Sequence, residues 1–267
     1  MDKVVKIVLA GPRGKMGREA IQMIEKTDQF QLVAVIDRIN NGRKLSDLIP
    51  EVKTDCQVYT DANECYKETE PDCLLELSVA EAAYEHAIAA IRYGVRPVIG
   101  ATGLSHGQLT DLEREANSRN IGCIVAPNFA IGAILMMKFA QLAAKHFSDV
   151  EIIELHHDEK RDAPSGTALK TAEMIQTVRQ ERRQGHPEEK EKLHGVRGGD
   201  YSGMKIHSVR LPGLVAHQQV MFGSVGETFT IRHDSYNRTS FMAGVKKSLE
   251  TVIHIDTFVY GLENILE

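Results

Sequence analysis

No apolar run in this 267-residue sequence approaches the length of a membrane span. Nor is there an excess of cations. Against 32 lysines and arginines stand 37 acids, a formal charge of −5, which leaves no electrostatic footprint for nucleic acid or anionic lipid. A small acidic ligand would have to be held by a local cationic site. The four cysteines, Cys56, Cys65, Cys73 and Cys123, form no CxxC pair and show no zinc-ligand spacing. They read as buried, reduced thiols of a cytosolic protein. The apolar run that ends at Ala10 is too short for a signal-peptide core with its cleavage site, so the expected location is the cytoplasm. Internal repeats, low-complexity tracts and DNA-reading motifs are also missing. What remains is an ordinary globular composition, long enough for one large domain or two ordinary ones.

The first half alternates strand and helix patterns. VVKIVLA, residues 4–10, is a continuous apolar run of the kind buried on both faces of a parallel sheet. G-P-R-G-K-M-G follows at 11–17, then a helical pattern over 18–26, then a second strand, FQLVAVID, at 30–37. In such a β–turn–α–β unit Gly11 allows a tight turn, Gly14 lets the backbone approach a pyrophosphate, and Gly17 allows close packing. The helix start attracts phosphate. Asp37 lies where an acid bonds a ribose hydroxyl, and Arg38 beside it could hold a 2′-phosphate. The spacing is GxxGxxG rather than the strict fingerprint, so the glycines count only together with their strand, helix and acid. Strands at 71–78, 96–102 and 121–128, with helices at 80–94 and 109–119, continue the alternation and predict a doubly wound parallel sheet. The turns at Gly100–Gly103 and Ala126–Phe129 would then border the nicotinamide side of a dinucleotide.

After Phe129 the pattern changes. An apolar helix is expected over 131–147, a strand over 150–157, a helix over 165–184 with a charged tail, and a mobile polar loop over 185–203. Three β-like runs at 204–211, 215–223 and 227–234 are joined by short turns, which predict antiparallel neighbours. An open sheet of this kind needs its free face covered, and subunit association is a common solution. The last segment, 241–267, reads as helical and as packing back on the first domain.

Between these halves lies E-L-H-H-D-E-K-R-D-A-P-S-G-T-A, residues 154–168. Hydride transfer to one atom of a double bond leaves its partner in need of a proton. An imidazole from His156 or His157 suits that task near neutral pH, and Lys160 is a second candidate donor. Ser165 is a good N-cap, so Gly166 and Thr167 would sit in a first helical turn that can hold a carboxylate. Asp162 would orient Lys160 or cap the turn. His156, His157 and Asp158 are all metal-ligand types, but neighbours on a strand point to opposite faces, so no metal is expected. The expected substrate is a small carboxylate with a reducible bond.

This segment resembles the signature of the 4-hydroxy-tetrahydrodipicolinate reductase (dihydrodipicolinate reductase) family of lysine and diaminopimelate biosynthesis. The resemblance runs through G-P-R-G-K-M-G, G-A-T-G at 100–103, A-P-N-F at 126–129 and R-L-P-G-L-V-A-H-Q at 210–218. It implies an NADH- or NADPH-dependent oxidoreductase whose product is tetrahydrodipicolinate. By position, His156 matches the family's proton donor/acceptor and Lys160 its second donor. His157 matches a substrate contact, and Gly166 and Thr167 match the carboxylate clamp. The nucleotide positions match Gly11, Pro12, Arg13, Gly14, Lys15, Met16, Asp37, Arg38, Gly100, Ala101, Thr102, Ala126, Pro127, Asn128 and Phe129. The implied fold is α/β: an N-terminal Rossmann-like doubly wound parallel sheet plus a C-terminal α+β domain with an open mixed sheet. Residues 1–128, completed by 236–267, would bind the dinucleotide, and 129–235 would bind substrate and form a homotetramer through the C-terminal sheet. Ser78-Val79-Ala80 departs from a more polar Thr-containing turn, and Asp37 replaces the glutamate of some members. Two other readings compete: another two-domain nicotinamide dehydrogenase acting on a small carboxylate, and a non-catalytic dinucleotide-sensing regulator.

Overall fold

The structure, a computed structural model, describes residues 4–266. The chain forms two compact units, with boundaries after Phe129 and after Ser240; the segment beyond Ser240 belongs to the first unit.

Strand β1 (Val5–Ala10) runs from an exposed Lys6 into four consecutive buried residues, Ile7 to Ala10. Helix α1 (Lys15–Glu25) follows. It starts three residues earlier than the apolar pattern suggests, because the glycine turn itself supplies the helix start. Gly14 is the N-cap, and Arg18 N–H donates to Gly14 O at 3.0 Å. The helix buries Gly17, Ala20, Ile21 and Ile24, a single stripe at helical spacing. Strand β2 (Phe30–Ile36) pairs parallel with β1. The stretch after it has three elements that the sequence pattern left unassigned: α2 (Leu45–Leu48), β3 (Gln57–Tyr59) and α3 (Ala62–Thr69). Next come β4 (Cys73–Glu76), α4 (Ala80–Arg92), β5 (Arg96–Ile99), α5 (His106–Arg119) and β6 (Cys123–Val125). Helix α5 also begins three residues early, since Ser105 and Gln108 close a reciprocal capping box at 2.8 and 3.3 Å.

The second unit contains α6 (Ile131–Ala143), β7 (Asp149–His156), α7 (Gly166–Gln176), β8 (Gly199–Tyr201), β9 (Met204–Arg210), β10 (Ala216–Ser224) and β11 (Glu227–Ser235). The chain then returns to the first unit through α8 (Met242–Val252) and β12 (Phe258–Tyr260).

The first sheet has the order β12-β6-β5-β4-β1-β2-β3, and every pairing is parallel. Helices α1 and α8 contact each other and the sheet, as do α3, α4 and α5 in a second group. This is the doubly wound sheet the alternation predicted. Its switch point lies between β1 and β4, where ligands bind outside the strands' carboxyl ends. The expectation of helix throughout 241–267 is corrected: the helix stops at Val252, and the β-branched and aromatic run Phe258–Tyr260 joins β6 as an edge strand. Gly261, at φ 90°, ends it.

The second sheet is mixed, in the order β11-β10-β7-β9-β8. Here β10 and β11 are antiparallel neighbours, as expected. β9 and β10 are not neighbours, because β7 lies between them, parallel to β9 and antiparallel to β10. The short turn at Pro212-Gly213 instead carries the chain across the end of β7, where Leu211 N–H donates to His156 O at 3.1 Å. A short loop predicts proximity but not adjacency. Helix α7 ends at Gln176, well short of 184. Beyond it the buried Arg179 guanidinium donates to the carbonyls of Ser148, Ser202 and Arg182. The Gln184 amide bonds both Val150 N (2.9 Å) and Val150 O (2.8 Å), standing in for a neighbouring strand. These tertiary bonds outweigh the helix propensity of the tail. The segment 185–203, expected as a mobile polar loop, lies mostly outside regular elements but includes β8 and the Arg197–Glu151 ion pair at 2.6 Å.

Candidate active site

In the first unit the residues expected to hold a nucleotide gather at the carboxyl ends of the parallel strands. Gly11 follows β1, Asp37 follows β2, Gly100 follows β5 and Ala126 follows β6. Gly11 has φ 80°, and a Cβ there would lie 2.9 Å from Leu77 O at the end of β4. At Gly17 a Cβ would lie 2.2 Å from Gly11 O, so this glycine lets α1 pack onto its own entry turn. The N-cap Gly14 brings no side chain to the first-turn amides, and no acid lies in that turn. Such a bare helix start, flanked by Arg13 and Lys15, fits a pyrophosphate. Pro12, Ala101, Ala126 and Phe129 are buried, whereas Arg13, Lys15, Arg38, Thr102 and Pro127 are exposed. The buried four shape the rim by packing: a Cβ at Gly100 would meet Phe129 Cε2 at 2.5 Å.

Asp37 is buried, and Arg13 grips both of its oxygens, Nε to Oδ2 at 2.7 Å and Nη2 to Oδ1 at 2.8 Å. Ile39 N–H donates to Oδ1 as well. Burial pushes the Asp37 carboxyl up, but the bonds from Arg13 and Ile39 outweigh it and hold the group below the ordinary carboxylate range.

In the second unit the focus is the end of β7. The strand alternates, with Val150, Ile152 and Glu154 buried on one face. Glu154 is therefore a carboxylate on a core face, and such a charge must be paired. His156 Nδ1 lies 2.5 Å from Glu154 Oε2. Arg210, at the end of β9 and in register with His156, donates to Oε2 at 2.9 Å and to Oε1 at 2.6 Å. Ser165 N–H approaches Oε1 at 3.3 Å. Burial raises the Glu154 carboxyl, yet the bonds from His156, Arg210 and Ser208 bring it down to about 2. Because the carboxylate only accepts, Nδ1 of His156 carries a hydrogen, which leaves Nε2 as its second proton-transfer atom.

Lys160 donates to both oxygens of Asp162, at 2.7 and 2.8 Å, so Asp162 orients the ammonium. Arg210 also donates to Asp162 O at 2.9 Å, tying this turn to Glu154. Ser165 is the N-cap of α7, its Oγ accepting from Ala168 N–H at 3.2 Å. Gly166 and Thr167 are the first two helical residues. A Cβ at Gly166 would meet no protein atom within 4 Å, so packing does not demand glycine there. A first turn without bulk suits a carboxylate that approaches the helix start.

The second unit thus brings His156, Lys160, Gly166 and Thr167 into one strand-end-to-helix-start segment; His157 lies just past the end of β7. Sequence reasoning gave no role to Glu154 or Arg210. The signal for Glu154 was present: it shares strand parity with Val150 and Ile152 and so belongs to the core face. Nothing local could identify Arg210, which is 56 residues away. Among the described residues no cluster of three or more His, Cys, Asp or Glu side chains could hold a metal ion, and no helix is long and apolar enough to cross a membrane.

Comparisons with known proteins agree over the whole length. The family profile "Dihydrodipicolinate reductase, N-terminus" matches residues 5–129, and "Dihydrodipicolinate reductase, C-terminus" matches residues 132–266. A 4-hydroxy-tetrahydrodipicolinate reductase of Geobacillus thermodenitrificans is 58% identical over 98% of this chain and 99% of its own. The Bacillus subtilis protein of the same name is 57% identical over 100% of this chain and 99% of its own. The solved structure of dipicolinate-bound dihydrodipicolinate reductase from Paenisporosarcina sp. TG-14 superposes with a TM-score of 0.90 at 51% identity, covering 98% of this chain and all of that one. With its parallel nucleotide-type sheet, its mixed second sheet and these full-length matches, the chain belongs to the dihydrodipicolinate reductase family.

Proposed function

We propose that this chain reduces 4-hydroxy-tetrahydrodipicolinate, by way of dihydrodipicolinate, to tetrahydrodipicolinate, a step of lysine and diaminopimelate biosynthesis. The observation that carries the chemistry is the Glu154–His156 pair at 2.5 Å, beside the start of α7. NADH or NADPH, when bound, supplies the hydride. The turn Gly11–Met16 would hold its pyrophosphate, and Asp37 and Arg38 its adenosine ribose. Gly100, Ala101, Thr102 and the run Ala126, Pro127, Asn128, Phe129 would border its nicotinamide.

His156 delivers a proton from Nε2 to the atom left basic by hydride addition. Glu154 fixes the tautomer, while Arg210 balances the buried carboxylate. Lys160, steered by Asp162, is the second donor. Gly166 and Thr167 hold a substrate carboxylate at the α7 start, and His157 contacts the substrate. The dipicolinate in the related Paenisporosarcina structure is a ligand of this chemical class. Neither alternative reading assigns a paired donor and carboxylate clamp a fixed role.

The first unit is the dinucleotide-binding domain and the second the substrate and assembly domain. Alternation along β7 puts Ile153 and Leu155 on the face opposite Glu154. That face, on the open sheet, is the proposed homotetramer interface. A biosynthetic role places the enzyme in the cytoplasm.

The test is to generate the substrate in situ and follow nicotinamide absorbance. Turnover is expected, and it should be lost in His156→Gln and in Lys160→Ala while nucleotide binding persists. Full activity in both variants would remove the assignment.

A further inference from the structure

Glu76 is a buried acid that the proposed chemistry does not use. It is the last residue of β4, its side chain has no exposed surface, and it lies in register between Ala10 of β1 and Ile99 of β5. The turns that follow those two strands are assigned to the coenzyme, a reading on which this inference rests. A buried carboxylate needs donors. Oε1 accepts from Ser78 N–H at 2.7 Å, and Oε2 lies 2.7 Å from His86 Nδ1 on α4. The carboxylate only accepts, so Nδ1 carries the hydrogen. No lysine or arginine bonds Glu76 among the described residues, which leaves the compensation to these two donors.

Together the two bonds fix one turn. Leu77 and Ser78 pass between the coenzyme turns and touch both. A Cβ at Gly11 would lie 2.9 Å from Leu77 O and 3.1 Å from Ser78 Cα, and a Cβ at Gly100 would lie 2.8 Å from Leu77 Cδ2. Leu77 N–H donates to Ala10 O at 3.2 Å, and Gly100 N–H donates to Glu76 O at 2.8 Å. A shift of Leu77–Ser78 would therefore displace both glycine turns. We infer that Glu76 and His86 are positioning residues for the coenzyme. They hold the turn on which both glycine turns rest, Glu76 from within the turn and His86 from α4.

His86 is the accessible end of the pair. Its side chain is 19% exposed and lines a surface cavity of about 280 Å³ with Asp61, Asn63, Glu85 and Arg92. His86→Leu removes the donor and leaves the carboxylate in place, whereas His86→Asn keeps a side-chain N–H at the Nδ1 position. Glu76→Leu combined with His86→Leu removes both partners without orphaning a buried charge, which protects folding, yet it takes the acceptor away from Ser78 N–H. NADH dissociation constants are measured by calorimetry, with thermal melting to identify the folded variants. The constant is expected to rise at least fivefold in each folded leucine variant and to stay within twofold of wild type in His86→Asn. A rise under fivefold in a folded leucine variant overturns the inference alone. So does failure of both leucine variants to fold, or a His86→Asn protein that is unfolded or binds more than twofold more weakly. A wild-type protein that does not bind NADH overturns the nucleotide assignment and the inference with it.

Discussion

Glu154→Gln tests the second unit's chemistry in a single substitution. The carboxyl is held at about 2 instead of its ordinary 4.5, a difference that contributes about 3 kcal/mol of stability at neutral pH. The side chain is fully buried, so water does not replace the lost charge. The glutamine amide would also turn a donor toward either the His156 Nδ1–H or Arg210, which already donate at that position. The expected loss is about 3 kcal/mol, a fall in melting temperature of about 6–12 °C for a chain of this size. The catalytic effect is separable. Without the carboxylate, His156 is no longer held in the Nδ1–H form, and kcat should fall about 10²- to 10⁴-fold, the usual contribution of a general acid. The nucleotide dissociation constant should change little, because the glycine turn is not touched, and KM for the substrate should change less than kcat, because the glutamine Oε1 can keep the bond from Ser165 N–H at the α7 start. Steady-state kinetics well below the variant's melting point, alongside calorimetric NADH binding, reads all three quantities. A kcat within threefold of wild type in a folded variant would refute Glu154 as the group that positions His156.

Further outcomes follow from the same contacts. The depressed Glu154 carboxyl contributes stability that is complete above its unfolded value and lost as pH falls from about 4.5 to about 2; wild-type stability should decline across that window, and Glu154→Gln should show a shallower decline. Gly17→Ala places a Cβ 2.2 Å from Gly11 O, so the turn must open, and NADH affinity measured by calorimetry should fall at least about tenfold, or about 1.4 kcal/mol. Ser165→Ala removes the 3.2 Å cap of α7 at a cost of about 1 kcal/mol, and should raise KM for the carboxylate substrate more than it lowers kcat. Gln184→Leu leaves Val150 N–H and C=O without the amide that bonds them, costing about 1–3 kcal/mol for each buried group, with adenine-nucleotide affinity unchanged.

Much of this arrangement is written locally in the chain. The β1 run, the Gly11–Gly17 turn and the acid after β2 form one contiguous unit whose geometry follows from glycine sterics and strand burial. The segment Glu154–Ala168 places a histidine at a strand end and an N-cap serine before a helix, again from local rules. What escaped the sequence is non-local. β3 and β12 are three residues each, too short for a period to register, and they exist because β2 and β6 offer them an edge. β7 enters between β9 and β10 by pairings that no turn encodes. Arg210 meets Glu154 only because those pairings set the two strand ends side by side. The helical propensity of 177–184 was misleading, since Arg179 and Gln184 gain more from carbonyls of distant segments than from another helical turn.

His156, held by Glu154, is proposed to give its proton to the reduced substrate at the start of α7. A crystal structure with reduced coenzyme and a dipicolinate-type analogue tests it most directly. His156 Nε2 should lie about 3 Å from an analogue ring atom, with the nicotinamide C4 about 3–3.5 Å from the neighbouring carbon. A fully occupied ternary complex in which His156 faces solvent, with the analogue bound away from the start of α7, would contradict it.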